Sequence, residues 1–331
     1  ETSTVTLQFS EAVASFSSDD DITVQNGSLA TMTSSDNITW TGTFTPTSGV
    51  EDAENVLTLA TTYTDTAGNA PASASTTDNY TVDTTAATVV AFTLSDSALK
   101  IGDTATVTLQ FSEAVASFSS SADITVENGS LATMTTTDNI TWTGTFTPSS
   151  NVEDAENVMT LATSYTDTAG NAGPSATTDN YQVDTVRPTV AAFTMSDTAL
   201  ISGETSTVTL QFSEAVASFS SDDDITVQNG SLATMTSSDN ITWTGTFTPT
   251  SGVEDAENVL TLATTYTDTA GNSPASASTT ANYEVDTKAV TVNSFTISDS
   301  ALKIGDTPTV TIVFSEAVAG FSSDADVTVQ N

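Results

Sequence analysis

Short runs of alternating hydrophobic and polar residues follow one another along the whole chain. In residues 106–112, for example, Val107, Leu109 and Phe111 alternate with threonine and glutamine. Side chains two residues apart in a strand point to the same face, so this pattern predicts a β-strand with one buried and one solvated face. The same reasoning predicts strands at residues 88–94, 106–112, 123–127, 130–135, 140–146, 158–165 and 180–183.

Turn residues separate these predicted strands. Asn128-Gly129 can adopt the positive φ values of a tight turn, which predicts a hairpin, and Gly170-Asn171 predicts a turn before the last strand. Seven short strands in about 100 residues are typical of an immunoglobulin-like β-sandwich, so we predict an all-β fold of such modules arranged end to end. Trp142 lies on the fifth predicted strand and cysteine is absent, so we expect a core unlike that of antibody domains.

The alternating pattern is itself repeated. The three tryptophans, Trp40, Trp142 and Trp243, are 102 and 101 residues apart. Residues 1–84 match residues 204–287 at all but three positions, which indicates recent duplication within one gene. The segment Phe-Ser-Glu-Ala-Val recurs around Glu11, Glu113, Glu214 and Glu316.

The repeat divides the chain into four parts, which we call modules 1 to 4. We predict a partial immunoglobulin-like module lacking its first strand, two whole modules, and a partial module containing only first strands. The chain is therefore expected to belong to a longer protein, or its copies are expected to complete one another. The predicted boundaries are 1–84 for module 1, 85–185 for module 2, 186–287 for module 3 and 288–331 for module 4.

The amino-acid composition argues against several classes of function. Acidic residues outnumber basic ones by 42 to 4, and the formal net charge is -38 at pH 7. This surplus repels phosphate backbones and anionic lipid, so we expect no nucleic-acid partner and no direct membrane insertion in this segment. Histidine and cysteine are absent, which removes the commonest general base and two zinc ligands, and we expect no enzymatic activity. Any export signal or anchor is expected outside these residues.

The motifs of one module are Phe111-Ser-Glu-Ala-Val115, Phe118, Asp123-Ile-Thr-Val126, Asn128-Gly129, Leu131, Trp142-Thr-Gly-Thr-Phe-Thr-Pro148, Val152-Glu-Asp154, Tyr165-Thr-Asp-Thr-Ala-Gly-Asn171 and Asp184-Thr185. Together they resemble the bacterial Ig-like tandem repeats of large extracellular surface adhesins of the Bap-like and RTX types. This resemblance covers the whole chain. It implies an extracellular location, at a bacterial cell surface or in a secreted matrix.

Acidic residues concentrate where consecutive modules are expected to meet. The last strand of one module ends at the pole that faces the next, so its final Asp is expected near two acidic residues of that next module. Calcium prefers six to eight oxygen ligands, and carboxylates, backbone carbonyls and the amide of Asn171 or Asn272 could supply them. We therefore predict calcium at the junctions, by analogy with calcium-stiffened adhesin stalks; alternatively, these carboxylates cap turns and keep the protein soluble. The predicted ligands are Asp83, Glu113 and Asp167; Asp184, Glu214 and Asp268; and Asp286 with Glu316.

Two other acidic groups are weaker candidates. Glu153, Asp154 and Glu156 are predicted to share a loop, near Asp96 and Asp103, but a cation within the module is less expected there. The run of three aspartates at residues 222–224 is predicted to be a solvated loop.

The function favoured by the sequence is a stalk that extends a distal binding domain, with neighbouring modules of the same chain as its partners. The alternative is a repeat unit of an extracellular filament, sheath or biofilm matrix fibre, held by contacts with other copies. A third possibility, modules that bind glycans through loops rich in serine and threonine, predicts exposed aromatic residues at loop tips. Most aromatic residues lie instead at positions predicted to face the core.

Overall fold

The computed structural model describes residues 1–330. Its regular elements are short β-strands and one-turn helices, which confirms the predicted all-β class. The chain forms two compact units. Unit 1, Glu1–Thr185, contains modules 1 and 2, and unit 2 begins at Val186 and contains modules 3 and 4.

Modules 1 and 2 share the same order of elements from the long strand β1 or β11 onward. The elements of module 1 are β1 (Ser3–Gln8), α1 (Ser18–Asp21), β2 (Ile22–Val24), β3 (Gly27–Leu29), β4 (Thr39–Pro46), β5 (Glu51–Asn55), β6 (Leu57–Leu59), β7 (Ser75–Thr76) and β8 (Tyr80–Asp83). Those of module 2 are β9 (Val89–Leu94), β10 (Ala98–Leu99), β11 (Ala105–Phe111), α2 (Ser120–Asp123), β12 (Ile124–Val126), β13 (Gly129–Leu131), β14 (Thr141–Pro148), β15 (Glu153–Asn157), β16 (Met159–Leu161), β17 (Ala176–Thr177) and β18 (Tyr181–Asp184).

In unit 2, module 3 repeats the order of module 2, and the described part of module 4 has three elements. The elements of module 3 are β19 (Val190–Met195), β20 (Ala199–Ile201), β21 (Ser206–Phe212), α3 (Ser221–Asp224), β22 (Ile225–Val227), β23 (Gly230–Leu232), β24 (Thr242–Pro249), β25 (Glu254–Asn258), β26 (Leu260–Leu262), β27 (Ser278–Thr279) and β28 (Tyr283–Asp286). Residues 288–330 form β29 (Val292–Ile297), β30 (Val310–Phe314) and α4 (Ser323–Asp326).

Module 2 folds into three sheets around one core. The largest has the order β13-β14-β11-β9, and the two smaller ones have the orders β10-β18-β15 and β12-β16-β17. The pairing of β11 with β14 is antiparallel and sets Leu109 opposite Trp142. Strand β10 runs parallel to β18, with Leu99 opposite Val183.

The residues that alternate on β11 point into this core. Val107 and Leu109 are completely buried, as are Phe146 and Tyr181 on facing strands. The rings of Phe146 and Tyr181 meet edge to face with centroids 5.2 Å apart. Burial of such side chains contributes about 1.5–3 kcal/mol each, so the period of two read from the sequence locates the main stabilising contacts.

The structure corrects two details of the predicted module. Module 2 has ten short strands where seven were predicted, because β10, β15 and β17 are too short or too polar to give an alternating signal. Asn128 does take a positive φ of 47°, but it does not join a hairpin. Strand β12 pairs with β16, and β13 pairs with β14, so this turn carries the chain from one sheet to another.

The main sheets of modules 1 and 4 contain fewer strands than those of modules 2 and 3. In module 1, β1 pairs with β4 in a sheet of three strands, and residues 1–84 provide no counterpart of β9 beside β1. In the described part of module 4, β29 and β30 form a two-stranded sheet whose apolar side chains are largely exposed.

Candidate metal centre

Three acidic residues come together where module 1 meets module 2 inside unit 1. Asp83 is the last residue of β8, which pairs with β5 so that Glu51 lies opposite Asp83. Glu113 follows β11 by two residues. Asp167 lies in the loop between β16 and β17 and forms an isolated antiparallel bridge with Val115.

Asp167 is fixed by a tight turn of the sequence Asp-Thr-Ala-Gly-Asn. One carboxylate oxygen accepts a hydrogen bond of 2.9 Å from the backbone N–H of Asn171, and the other accepts one of 2.9 Å from the Asn171 side chain. Gly170 adopts a φ of 95°, a left-handed conformation that favours glycine. The Asp167 side chain is fully buried, so the turn holds a carboxylate at a defined position away from solvent.

The carboxylates of Asp83, Glu113 and Asp167 each offer one oxygen, and these oxygens lie within 4.8 Å of one another. The side-chain amide of Asn171 faces the same place. Its Nδ2 donates to the backbone oxygen of Asp83 at 3.2 Å and to that of Thr85 at 3.5 Å. Carboxylate and carbonyl oxygens therefore converge from both modules of unit 1.

Repulsion among these carboxylates affects the pKa of Glu113. Burial raises the pKa of its carboxyl group, and the negative charges of Asp83, Asp167 and Glu51 raise this pKa further. Like charges that are held together in this way favour the protonated form. A cation bound between them would have the opposite effect.

The donor set suits a hard divalent cation. Calcium takes oxygen ligands from carboxylates, main-chain carbonyls and amides at about 2.3–2.6 Å, and its coordination geometry is flexible. Zinc sites usually include histidine or cysteine, and the chain contains neither. The residues present therefore fit calcium by the chemistry of their oxygen atoms.

The same Asp–Asn turn also occurs in modules 1 and 3. In module 1, Asp65 accepts hydrogen bonds of 2.8 Å from the backbone and the side chain of Asn69, but Asp65 is more exposed than Asp167. In unit 2, Asp268 accepts bonds from the Asn272 backbone at 2.8 Å and side chain at 2.9 Å. The five-residue sequence therefore forms this turn in each of these modules. The convergence of carboxylates depends in addition on residues outside the turn.

The remaining predicted ligands occupy equivalent positions in their own modules. Asp184 ends β18 in unit 1, whereas Glu214 follows β21 and Asp268 forms a bridge with Val216 in unit 2. Asp286 ends β28 and Glu316 follows β30 by two residues.

Asp286 and Glu316 differ from the set at Asp83 in having a lysine nearby. Lys288 Nζ donates to a carboxylate oxygen of Glu254 at 2.8 Å. This hydrogen bond is the main cause of a raised Lys288 pKa, to which Glu316 and Asp286 also contribute. Within residues 1–330, no group of three converging carboxylates includes Asp286 or Glu316.

The weaker acidic candidates have structural roles. Glu153, Asp154 and Glu156 lie in strand β15 and not in a loop, and Asp154 accepts a 2.8 Å hydrogen bond from the Asn128 side chain. Asp96 accepts a bond from the backbone of Ala98, and Asp103 forms a 3.8 Å ion pair with Lys100.

The aspartate run of module 3 is solvated at Asp222 and Asp223, as predicted, but the prediction of a loop was wrong. Residues 222–224 belong to the one-turn helix α3, and Asp224 is buried. Its carboxylate accepts hydrogen bonds from the Ser220 backbone at 2.8 Å and from the Thr265 hydroxyl. The counterpart Asp123 in α2 is buried in the same way, so the last aspartate of this segment is a structural residue.

Sequence reasoning missed two neighbours of the metal centre. Glu51 lies close to Asp83 because β5 pairs with β8, and Asn171 reaches the carbonyl of Thr85, the first residue of module 2. Neither contact leaves a signal in local sequence, since both depend on pairing between distant residues.

Comparison with known proteins gives a family match along the whole chain. The model of the family described as bacterial Ig-like domain matches residues 1–82, 83–183, 184–285 and 286–331. Among curated proteins, none matches the sequence. None of the helices in residues 1–330 has the length and hydrophobicity of a membrane-spanning segment.

Several solved structures are similar at low sequence identity. A fragment of titin with three immunoglobulin domains is 10% identical, covers 87% of this chain and 93% of its own, and has a TM-score of 0.41. Invasin, a bacterial integrin-binding protein, is 16% identical, with 79% of this chain and 56% of its own covered and a TM-score of 0.29. Domains 1–6 of the surface layer protein SbsC are 11% identical, with 89% and 54% covered and a TM-score of 0.20.

Proposed function

Because the chain belongs to the bacterial Ig-like domain family, we propose that it is a stalk segment of a large bacterial cell-surface adhesin and extends a distal binding domain away from the cell. The observation that carries this proposal is repetition. Residues 1–84 and 204–287 differ at only three positions, so the chain gains length by adding near-identical modules. Repeated modules of this kind suit a protein that holds other domains at a distance better than one that needs a single active site.

The proposed location is extracellular, at the bacterial surface or in a secreted matrix. The family match supports a bacterial surface repeat. The net charge of -38 supports a protein that stays dispersed in solvent and avoids anionic surfaces.

The stalk proposal is tested by measuring how length grows with module number. A module built from strands of six to eight residues, at about 3.3 Å per residue plus loops, is about 35–45 Å long. Small-angle X-ray scattering should therefore give a maximum dimension for the whole chain that exceeds that of residues 1–185 by at least one module length. Equal maximum dimensions would contradict a stalk.

We further propose that calcium binds the junction between modules 1 and 2 through Asp83, Glu113 and Asp167. Support comes from the three carboxylate oxygens within 4.8 Å of one another and from the adjoining carbonyls of Asp83 and Thr85. A rotation of the Asn171 amide would turn its oxygen towards the cation. Extracellular modules bind calcium with dissociation constants of about 10⁻⁴ to 10⁻³ M, so the ion would be bound outside the cell.

Calcium would stiffen the stalk for an electrostatic reason. Without it, like charges at the junction repel each other over a screening distance of about 10 Å at 0.1 M salt. A divalent cation coordinated by both modules converts this repulsion into a cross-link. The junction would then resist bending in calcium and become more mobile in a chelator.

The calcium proposal is tested on residues 1–185, which form a compact unit by themselves. Calcium at a hundredfold excess over its dissociation constant should stabilise this unit by about 2.7 kcal/mol relative to EDTA. Calorimetric titration should give one site, and the melting temperature should rise with calcium concentration. An unchanged melting temperature and an unchanged maximum dimension in EDTA would contradict the proposal.

The chain offers a matched control for this experiment. Asp167→Asn should abolish the calcium response, whereas Asp65→Asn alters the same Asp–Asn turn in module 1 and should leave the response intact. If both variants lose the response equally, then the effect comes from the turn and not from the junction.

A further inference from the structure

Two of the four basic residues of this chain lie in the linkers that follow a last strand. Arg187 and Lys288 each lie within three residues of the aspartate that ends β18 or β28. Residues 84–88, which follow β8, contain no basic residue. The linkers therefore differ in charge although the modules are nearly identical in sequence.

Lys288 lies among acidic groups of modules 3 and 4, which belong to the same compact unit. Its Nζ donates a 2.8 Å hydrogen bond to a carboxylate oxygen of Glu254, and both side chains are about half exposed. The hydrogen bond and charge of Glu254 raise the pKa of Lys288, and the charges of Glu316 and Asp286 raise it further. The ammonium group thus interacts with carboxylates from both modules.

Thr85 is the counterpart of Lys288 in the linker between modules 1 and 2, and it has the same local backbone contact. The backbone N–H of Thr85 donates to Oδ1 of Asp83 at 3.1 Å. The backbone N–H of Lys288 donates to Oδ1 of Asp286 at 3.4 Å. A lysine at this position is therefore carried by a turn that both linkers form.

The acidic partner of Lys288 also has a counterpart at the first junction. Glu51 lies opposite Asp83 in the pairing of β5 with β8, and Glu254 occupies the same position in the pairing of β25 with β28. At the first junction, burial and the neighbouring carboxylates, Glu51 among them, raise the pKa of Glu113. The same acidic frame therefore stands next to a threonine in one linker and next to a lysine in the other.

We propose that Lys288 is a built-in cation at the junction of modules 3 and 4 and takes there the role that we assign to calcium at the junction of modules 1 and 2. The comparison with calcium rests on the calcium proposal above. The residue two positions after the final aspartate then sets the calcium dependence of a junction. Threonine leaves the carboxylates to calcium, whereas lysine offsets their charge within the chain.

A lysine at this position weakens calcium binding for two reasons. Its ammonium group repels a second cation, and its ion pair engages a carboxylate of the acidic frame. Calcium affinity depends on the charge of the ligand set, so both effects raise the dissociation constant. An exposed ion pair adds little to stability, so the effect on calcium affinity should exceed the effect on melting temperature.

Transplantation of the lysine tests this assignment in residues 1–185, which form a compact unit by themselves. Thr85→Lys should place the new ammonium group beside Glu51, as Lys288 lies beside Glu254. Calorimetric titration should show a calcium dissociation constant that rises by about tenfold or more. In EDTA, the melting temperature should depend less on salt concentration than that of the parent, because less repulsion remains for salt to screen.

Two control variants separate the charge at this position from other causes. Thr85→Gln adds a long polar side chain without a charge and should keep the calcium affinity of the parent. Thr143→Lys adds the same charge at an exposed position of β14 and should leave the calcium affinity and the salt dependence close to those of the parent.

The reverse substitution is made in the full chain in EDTA. With the other two tryptophans replaced by phenylalanine, the fluorescence of Trp243 follows the unfolding of module 3. Lys288→Thr should lower the melting temperature slightly and make it rise more steeply with salt, because the carboxylates of the junction are then no longer offset. Lys303→Thr removes the same charge from an exposed position in module 4 and should change neither quantity.

Three outcomes would overturn the inference: an unchanged calcium affinity in Thr85→Lys, equal losses of affinity in Thr85→Lys and Thr143→Lys, or equal salt dependence in Lys288→Thr and Lys303→Thr. A Thr85→Lys variant that loses calcium binding because it no longer folds in EDTA would also count against it. If the parent residues 1–185 bind no calcium, then the calcium proposal fails. The measurements in EDTA then decide by themselves whether Lys288 offsets the carboxylates of its junction.

Discussion

Modules 1 and 2 contain nearly the same strands but differ in what surrounds them. Leu109 on β11, which β9 flanks in the same sheet, is completely buried, whereas Leu7 on β1, without such a neighbouring strand, is partly buried. Asp167 is buried at a junction, whereas Asp65 in the same turn of module 1 is more exposed. The comparison shows that local sequence builds the strand and the turn, and that a neighbouring segment determines how buried each one is.

The largest expected difference between the two modules lies in the core. Leu109→Ala should destabilise module 2 by about 2–5 kcal/mol, because it leaves a cavity in a closed core. Leu7→Ala should cost module 1 clearly less, since that side chain is already partly solvated. Denaturant unfolding can follow one module at a time if two of the three tryptophans are replaced by phenylalanine. Equal losses in both modules would show that β9 adds little to the core.

The second difference concerns pH and Glu113. A carboxyl group whose pKa is raised in the folded state binds its proton more tightly there than in the unfolded chain. In EDTA, the contribution of Glu113 to the stability of module 2 should therefore be fully present below the ordinary pKa of 4.5 and should be lost as the pH rises through the raised pKa. Melting temperatures across this range measure the loss.

Matched variants sharpen this test. Glu113→Gln should remove the pH dependence because it removes the titrating charge, while Glu11→Gln, the counterpart in module 1, should leave it in place. A pH dependence that survives in Glu113→Gln would assign it to other carboxylates.

The third difference is the ionisation of the tyrosine at the start of the last strand. Burial, followed by the negative charges of Glu127 and Asp154, raises the pKa of Tyr181 to about 12, although the hydrogen bond that its hydroxyl donates to the Glu127 carbonyl opposes this rise. Burial also raises the pKa of Tyr80 in module 1, and the hydrogen bond that its hydroxyl donates to the Gln25 carbonyl partly offsets this effect. Tyrosinate absorbance of single Tyr→Phe variants should show Tyr181 titrating at higher pH than Tyr80. The reverse order would contradict the greater burial of Tyr181.

The smallest expected effect is the loss of stability when an exposed turn aspartate is replaced, and it should be equal in both modules. Asp138 and Asp36 accept backbone hydrogen bonds in equivalent exposed turns, and these bonds lower both pKa values below 3.8. Each carboxylate therefore contributes stability above its unfolded pKa, and the contribution is lost as the pH falls through the lowered value. Asp138→Ala and Asp36→Ala should each lower the melting temperature slightly and by the same amount, and unequal shifts would mean that the turns are not independent of their modules.

The sequence by itself determined the strands with a strong period of two, the buried faces of those strands, the repeat and the Asp–Asn turn. Val107 and Leu109 were assigned to the core from alternation alone, because the side-chain direction of a strand follows directly from residue spacing. It also indicated that Asp83, Glu113 and Asp167 should be neighbours, because the repeat boundaries and the strand ends place all three residues at the module ends that face each other.

The tertiary structure decided which strands pair. The turn at Asn128-Gly129 connects two sheets instead of closing a hairpin, because β13 pairs with β14 and β12 with β16. Glu51 lies beside Asp83, and the first strand of a module closes a core formed by residues far along the chain. Such pairings depend on hydrogen bonds and packing between distant segments, for which neither propensity nor periodicity carries a signal.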